Sequence, residues 1–165
     1  MLNNNFATYL LYAMSNVSMP MTDWDGTTAN KSGSILYLYG NFGKYNFDNL
    51  ASGNTCFVFG TGGNAASLTD HQLTSRVDGN GDFTQVSARK ESQASTRKLI
   101  FTSVWEYTGS DTITINEIGL VNNNSGSKIM FDRTVLKTPI TVDSEHNTFT
   151  IALTIGGKAT AKVNP

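Results

Sequence analysis

Two apolar-alternating runs that flank a short polar turn decide the fold of this chain. The first run is Thr-Ile-Thr-Ile-Asn-Glu-Ile-Gly-Leu-Val at 112–121, and the second is Lys-Ile-Met-Phe-Asp-Arg-Thr-Val-Leu at 128–136. Between them, residues 122–127 read Asn-Asn-Asn-Ser-Gly-Ser, a composition typical of turns. Together the two runs and the turn predict an antiparallel β-hairpin.

The alternation in the first run changes parity partway along. Ile113 and Ile115 fall on one face of a regular strand, whereas Ile118 and Leu120 fall on the other. Side chains of a strand alternate between its two faces, so a regular strand cannot bury all four together. We therefore predict a bulge or bend near Asn116–Glu117.

Counting back from the turn places Glu117 roughly opposite Arg133. Opposite charges at facing positions of a hairpin form cross-strand ion pairs. The alternative is that both side chains project into water, where such a pair contributes little to stability. If they pair, Glu117 and Arg133 are architectural residues that hold a bent hairpin in register.

Length and composition predict a single all-β domain. A chain of 165 residues can bury a sizeable core. Its threonines and aromatic residues favour strands, and its asparagines, serines and 15 glycines favour the turns between them. Several strand patterns at roughly ten-residue spacing, without amphipathic helices between them, indicate a β-sandwich or a barrel. The fold class that we expect is a jelly-roll-like β-sandwich with a short N-terminal helix.

Charge and hydropathy argue against two classes of partner. Only 15% of the residues are charged and the formal net charge is −1, so nothing resembles the electrostatic footprint of a nucleic-acid-binding protein. No apolar run is long enough to span a bilayer, and no secretion signal is recognisable. The lone cysteine, Cys56, lies in an apolar run and is expected to be a buried, inert thiol in a protein that folds in a reducing cytoplasm.

The N-terminal region predicts a short helix over residues 3–16. Phe6, Tyr9, Leu10 and Ala13 follow helical spacing, and an asparagine is available to cap the first turn. A helix this short needs a surface on which to dock. That surface is either the domain's own sheet or a neighbouring subunit, and the sequence does not choose between them.

The rest of the chain divides into an arm and a sandwich. We expect residues 1–34 to form the N-terminal helix and an irregular arm, and residues 35–165 to form the β-sandwich. Further strands are predicted at 35–39, 55–59, 98–107, 140–142 and 148–155, with one more short strand in the tail.

Three aromatic residues in predicted turns and loops have two interpretations. Trp24 lies in the turn 23–26, while Tyr45 and Phe47 lie in an aromatic-rich loop. Such residues either anchor a loop to the core or contact a partner. The core role is favoured for Tyr45 and Phe47 of the loop, whereas Trp24 is interpreted as an exposed aromatic of the turn. The alternative is that Trp24, Tyr45 or Phe47 serves as a stacking platform for a glycan.

Two motifs suggest ligand sites but lack required residues. Gly-Thr-Gly-Gly at 60–63 follows a strand, yet no Gly-Lys-Ser/Thr follows it, so a flexible turn is favoured over a phosphate loop. Residues 78–82 have the Asp-x-Asn-x-Asp spacing of a calcium loop, but Phe83 and Arg89 replace the glycine and glutamate that such a loop needs. We expect no metal site there.

The chain shows no catalytic constellation. His71 and His146 are far apart in the sequence, no serine lies in Gly-x-Ser-x-Gly, and no spacing rule selects a pair of carboxylates. We therefore expect a protein without enzymatic activity and without a cofactor.

Five short motifs, in order, resemble a module of the structural proteins of tailed bacteriophages. They are Gly-Thr-Gly-Gly at 60–63, Thr-Asp-His-Gln-Leu at 69–73, Ile-Asn-Glu-Ile-Gly-Leu at 115–120, Phe-Asp-Arg-Thr-Val at 131–135 and Thr-Pro-Ile-Thr-Val at 138–142. That module typically shows a Gly-Thr-Gly turn, an Asp-x-x-Leu element, a Glu-x-Gly-Leu strand and a Leu-x-x-Arg strand. The resemblance covers about residues 55–156, and Met130 stands where the family usually has leucine.

The resemblance implies a non-catalytic component of the virion that is assembled in the host cytoplasm. Its implied partners are other virion proteins and further copies of itself, because such proteins commonly form symmetric oligomers. Nucleic acid and membrane are not expected as partners, and a host-surface glycan is the alternative ligand. The candidate partner contacts are Phe6, Tyr9 and Leu10 of the helix and Trp24, Tyr45 and Phe47 of the loops.

Overall fold

A computed structural model describes residues 1–15, 17–31, 42, 46–78, 81–93, 98–124, 126–155 and 160–163. It contains one helix, α1 (Asn4–Ser15), and the strands β1 (Met19–Thr22), β2 (Thr28–Lys31), β3 (Thr55–Gly60), β4 (Phe83–Gln93), β5 (Lys98–Tyr107), β6 (Ile113–Asn124), β7 (Ser127–Val142), β8 (Thr148–Ile155) and β9 (Thr160–Val163).

The described strands form antiparallel sheets that pack in a sandwich-like manner. One sheet has the order β3-β6-β7, a second has the order β4-β5-β8-β9, and β1 and β2 pair separately. Phe59 of β3 lies between the two larger sheets, with its ring 4.8 Å from Trp105 and 5.2 Å from Phe149. Such aromatic contacts bury much apolar area. The predicted all-β class is confirmed.

The predicted hairpin is present as β6 and β7. Its register shifts between Ile115 and Glu117, which confirms the predicted bulge. Because of that shift, Ile115 and Ile118 are both buried although they differ in parity. The short strand predicted at 140–142 is instead the end of a continuous β7, an edge strand that tolerates Pro139.

Most of the other predicted strands are confirmed. The structure has β3 at Thr55–Gly60, β5 at Lys98–Tyr107 and β8 at Thr148–Ile155. The tail contributes β9, which pairs with β8. The strand predicted at 35–39, and with it the expected boundary between arm and sandwich at residue 35, lies outside the described residues.

The N-terminal arm is more regular than predicted. Strands β1 and β2 form a hairpin whose turn, residues 23–26, is closed by a hydrogen bond from the Gly26 amide to the Asp23 carbonyl (2.9 Å). Gly26 has a φ of +88°, a conformation that costs glycine little. The Trp24 amide donates to the Lys128 carbonyl (2.7 Å), so the turn is attached to β7.

Helix α1 docks on the chain's own sheet. The Phe6 amide donates to Oδ1 of Asn3 (3.2 Å), which confirms the predicted asparagine cap. The rings of Phe6 and Tyr9 lie 6.3 Å and 5.6 Å from the ring of Phe131 in β7. The side chain of Ala13 lies outside the described residues.

Residues 1–3 run along the outer edge of β7. Leu2 forms an antiparallel bridge with Asp132, the Asn3 amide donates to the Phe131 carbonyl (3.0 Å), and the Arg133 amide donates to the Met1 carbonyl (3.1 Å). Covering a strand edge satisfies its backbone groups and blocks pairing with another chain.

Asn3 joins the cap, the helix and β7, so its removal should destabilise the fold. Its side-chain amide also donates to the carbonyls of Met130 (2.7 Å) and Asp70 (2.8 Å). We expect Asn3→Ala to lower the free energy of unfolding by about 2 kcal/mol, from the lost cap and the carbonyls left unpaired. Urea denaturation measures this difference.

Asn4→Ala is the matched control because Asn4 is exposed. It should change the free energy of unfolding by less than about 0.5 kcal/mol. Equal losses in the two variants would contradict the role assigned to Asn3.

Candidate functional site

Glu117 and Arg133 form a buried ion pair at the bulge of the β6–β7 hairpin. Nε of Arg133 and Oε2 of Glu117 are 2.7 Å apart, and the exposed fractions of the two side chains are 3% and 0%. The alternative in which both project into water is therefore wrong. Their predicted facing position is also wrong: Arg133 lies opposite Gly119, and Glu117 lies opposite Val135. The pair is therefore diagonal across the two strands, and a second register shift, between Leu120 and Val121, lies between the turn and the pair.

Backbone amides from two loops surround the Glu117 carboxylate. Oε1 accepts hydrogen bonds from the amides of Ser75 (2.9 Å) and Gly62 (3.3 Å), and Oε2 accepts one from the amide of Thr74 (3.2 Å). Hydrogen bonds to an ionised group are stronger than those between neutral groups. These amides replace the water that the carboxylate loses on burial.

The Arg133 guanidinium uses every donor that it has. Besides Nε, its Nη1 donates to Asp70 Oδ2 (2.9 Å) and the Ala65 carbonyl (3.4 Å), and its Nη2 donates to Thr74 Oγ1 (2.8 Å) and the Asn64 carbonyl (3.1 Å). A guanidinium has five N–H groups, so none remains for a ligand. Burial acts to lower the pKa of Arg133, but the hydrogen bonds and charges of Asp70 and Glu117 raise it above its usual value.

The glycine-rich turn at 60–63 lies directly against Glu117. A Cβ atom at Gly60 or Gly62 would come within 2.5 Å or 2.6 Å of Oε1 of Glu117. Larger residues would therefore push the loop off the carboxylate. The resemblance of this turn to a phosphate loop has a physical basis, since its amide faces an anion, but that anion is the chain's own side chain.

Four of the five motifs on which the phage resemblance rests meet in this network. The Gly-Thr-Gly turn, Asp70, Glu117 and Arg133 are joined by the hydrogen bonds described above. Gly119, from the Glu-x-Gly-Leu motif, sits where a Cβ would lie 2.8 Å from Val58, 3.1 Å from Met130 and 3.2 Å from Leu73. Residues far apart in the sequence thus form one framework between β3, β6 and β7.

The loop aromatics form a second cluster beside β7, which we call the Phe47 cluster. Trp24 and Phe47 lie 4.6 Å apart, with the guanidinium of Arg76 and the ammonium of Lys128 4.2 Å and 4.0 Å from the Phe47 ring. Cations close to an aromatic ring attract it electrostatically. Phe47 is buried, so it is not an exposed partner contact. Trp24 is half-buried, and Tyr45 lies outside the described residues.

The helix contacts predicted for a partner divide between two faces of α1. Phe6 and Tyr9 are buried against Phe131, which removes them from the surface and corrects that part of the prediction. Leu10 is 45% exposed, and the adjacent Leu11 is 56% exposed. Helical periodicity alone did not separate the covered face from the open one.

The thiol of Cys56 and the potential metal ligands are the other groups whose surroundings bear on a ligand site. Cys56 is buried as predicted, and burial raises the pKa of its thiol. Among the residues that the structure describes, no group of three or more His, Cys, Asp or Glu side chains is arranged to hold a metal ion. Within the same part of the chain, no helix is both long and apolar enough to cross a membrane.

Sequence reasoning missed most of the partners in the ion-pair network. Asp70 belonged to a recognised motif, but nothing in the motif showed that its carboxylate would meet Arg133. Thr74 and Ser75 contribute backbone amides to Glu117, and any residue except proline supplies an amide. Residue identity therefore carried no signal for those two contacts.

Comparison of the chain with protein-family models, curated proteins and solved structures finds no match.

The buried pair makes Glu117 a sensitive position for stability. Glu117→Gln keeps the shape of the side chain but leaves the Arg133 charge with Asp70 as its one anionic partner in the network. Breaking one side of a buried ion pair costs about 3 to 5 kcal/mol, and we expect a loss in this range. Chemical denaturation followed by circular dichroism measures it.

Glu145→Gln is the control, since Glu145 is exposed and should be neutral to within about 0.5 kcal/mol. A Glu117→Gln protein as stable as the wild type would contradict an architectural role for the pair.

Proposed function

We propose that this chain is a non-catalytic structural component of a tailed-bacteriophage particle. It acts through protein–protein contacts with other virion proteins and with copies of itself. The observation that carries the proposal is the convergence of four of the five resembling motifs on a network whose charged groups bind one another. Glu117 and Arg133 are buried there, and the Arg133 donors are fully used.

The chemistry of the network supports an architectural role. A catalytic carboxylate or guanidinium must reach a substrate atom. Here Glu117 is 0% exposed and receives four hydrogen bonds from the protein. The network thus fixes two loops and a bent hairpin in place, which suits a module that must keep its shape within an assembly.

The outer face of α1 is the surface that we assign to self-association. The helix Asn4–Ser15 contains no charged residue, while Ala7, Leu10 and Leu11 on its outer side are exposed. A helix that is apolar on both faces is usually covered on both. Because the face has no charge and the chain's net charge is −1, two copies can approach with little repulsion.

Charge on this face should disrupt the oligomer. We expect the double variant Leu10→Glu/Leu11→Glu to run as a single chain under conditions where the wild type forms an oligomer, because association would bury two carboxylates. Size-exclusion chromatography with light scattering measures both masses.

Val86→Glu is the matched control, because Val86 is also exposed (46%) but lies on β4. It should keep the wild-type mass. A wild-type protein that stays a single chain at high concentration would exclude intrinsic self-association through α1.

The phage assignment is tested by the genes that flank this one. Neighbouring genes for a capsid, portal or tail protein support a place in the particle. Flanking genes that form a metabolic operon would contradict it, and turnover of a substrate that is lost on replacing one carboxylate would favour an enzyme.

Carbohydrate recognition at a tail or fibre tip is the alternative function. The half-buried Trp24 favours it, since an aromatic ring with one open side can stack on a sugar, but the burial of Phe47 removes one of the expected platforms. Saturable binding on a glycan array that Trp24→Ala abolishes would establish this alternative. Binding that persists in Trp24→Ala, or no binding at all, would count against it.

A further inference from the structure

Asp78 is a buried carboxylate with few compensating contacts. Its side chain is 0% exposed, and neither of its oxygens has a hydrogen-bond partner of good geometry among the described residues. The nearest cationic atom is Nη1 of Arg76, 3.8 Å from Oδ1, which is beyond hydrogen-bond reach. This site contrasts with Glu117, whose charge is fully compensated.

The surroundings of Asp78 favour its neutral form. Burial is the largest influence and raises the pKa of Asp78 from 3.8 to about 6. The Arg76 guanidinium and the nearby amides of Asp78 and Phe59 act in the opposite direction, and Asp48 adds to the increase. A carboxyl group with a raised pKa is one whose charge the folded protein solvates poorly.

Asp78 belongs to a short segment, residues 76–78, that lies along an edge of β3. Arg76 forms an antiparallel bridge with Gly60, and the Val77 amide donates to the Phe59 carbonyl (2.8 Å). These are edge contacts, with few hydrogen bonds to break. A segment of this kind opens locally at a lower cost than the sheet interior.

Arg76 connects this segment to the Phe47 cluster. Its Nη2 lies 3.2 Å from Oδ1 of Asp48, and its guanidinium lies over the ring of Phe47. The charged side chains that act on the Asp78 carboxyl are Arg76 and Asp48. The buried Cys56 thiol lies near the same groups and near Lys128. Arg76 is the cation that pairs with Asp78, and it shares its charge with Asp48.

We propose that residues 76–78 form a pH-sensitive clasp on the edge of β3. The clasp is closed most firmly when the Asp78 carboxyl is protonated, and it opens more readily when that group is ionised. The cause is solvation: opening lets the carboxylate reach water, whereas closing buries a charge whose nearest cation is too far away for a hydrogen bond. This inference stands whether or not the proposed virion role is correct.

The direction of the pH dependence follows from linkage. Because the folded pKa is higher than the ordinary value of 3.8, the closed state binds the proton more tightly than the open state. The stability that Asp78 contributes is thus largest in acid and declines as the pH rises from about 4 through about 6. Above that range it stays constant. Most buried carboxylates with ion-pair partners show the opposite trend.

Amide hydrogen exchange of Val77 measures the opening of the clasp directly. With the intrinsic exchange rate divided out, we expect the protection of this amide in the wild type to fall about tenfold between pH ~5 and pH ~7.5. In Asp78→Asn, which mimics the neutral carboxyl, protection should not change over this interval. The Trp105 amide, in the core of β5, should be more strongly protected than that of Val77 at both pH values, because it does not take part in local opening.

His71→Gln is the control for the other side chains that gain charge near neutral pH. Nε2 of His71 lies close to Gly26 in the β1–β2 turn, near the Phe47 cluster, and histidine titrates in the same range. The His71→Gln protein should keep the tenfold change. Loss of the change in this variant would assign the effect to His71 and overturn the clasp.

A direct titration keeps the proposal testable if Asp78→Asn does not fold. The carbon-13 shift of the Asp78 carboxyl in the wild type should move with a midpoint near pH 6. A midpoint near or below the ordinary value of 3.8, or protection at Val77 as strong as at Trp105, would overturn the proposal.

Discussion

The structure depends on the burial of one negative charge, the carboxylate of Glu117, at a bend in the central hairpin. A buried anion is tolerated only where hydrogen bonds and an opposite charge replace its hydration. Three amides and one guanidinium do so here, and they come from the turn after β3, from residues 74–75 and from β7. The charge therefore fixes the positions of segments that no shared apolar core would hold so specifically. Because burying the carboxylate without these partners is costly, arrangements of the segments that lack them are disfavoured.

The same chemistry explains why a glycine-rich turn suggested a ligand site. Amide N–H groups aimed at one point form an anion-binding concavity whether the anion is a phosphate or a side chain. At 60–63 the occupant is Glu117, which comes from a strand more than fifty residues away. The glycine-rich motif indicates that backbone amides can bind an anion, but it does not indicate which anion they bind. The three-dimensional neighbours decide between a binding loop and an internal brace.

Predictions that rest on local interactions were more successful than those that depend on contacts between distant residues. The parity change from Ile115 to Ile118 predicted the bulge because strand periodicity is a local property. The facing register of Glu117 and Arg133 was wrong by two residues, and an unpredicted register shift between Leu120 and Val121 contributes to the difference. The sequence did not determine which surface α1 docks on, since that surface includes Phe131, more than a hundred residues further along the chain. Phe47 is buried in an apolar cluster, as the favoured interpretation predicted, but the cations beside its ring were not predictable from spacing. Local patterns thus predicted many of the elements, although not β1, β2 or β4, and long-range contacts decided the site.

The strand-like segment at residues 1–3 has a consequence for the order of events in folding. Its partners lie at 131–133, so the segment leaves the ribosome long before the strand that it must join has been synthesised. Contacts between such distant residues are slow to form, because a large loop has to close first. Until then the side-chain amide of Asn3 lacks the Met130 carbonyl, and the aromatic face of α1 lacks the ring of Phe131. The N-terminal region can therefore dock only after β7 has formed, so its docking follows the completion of the hairpin.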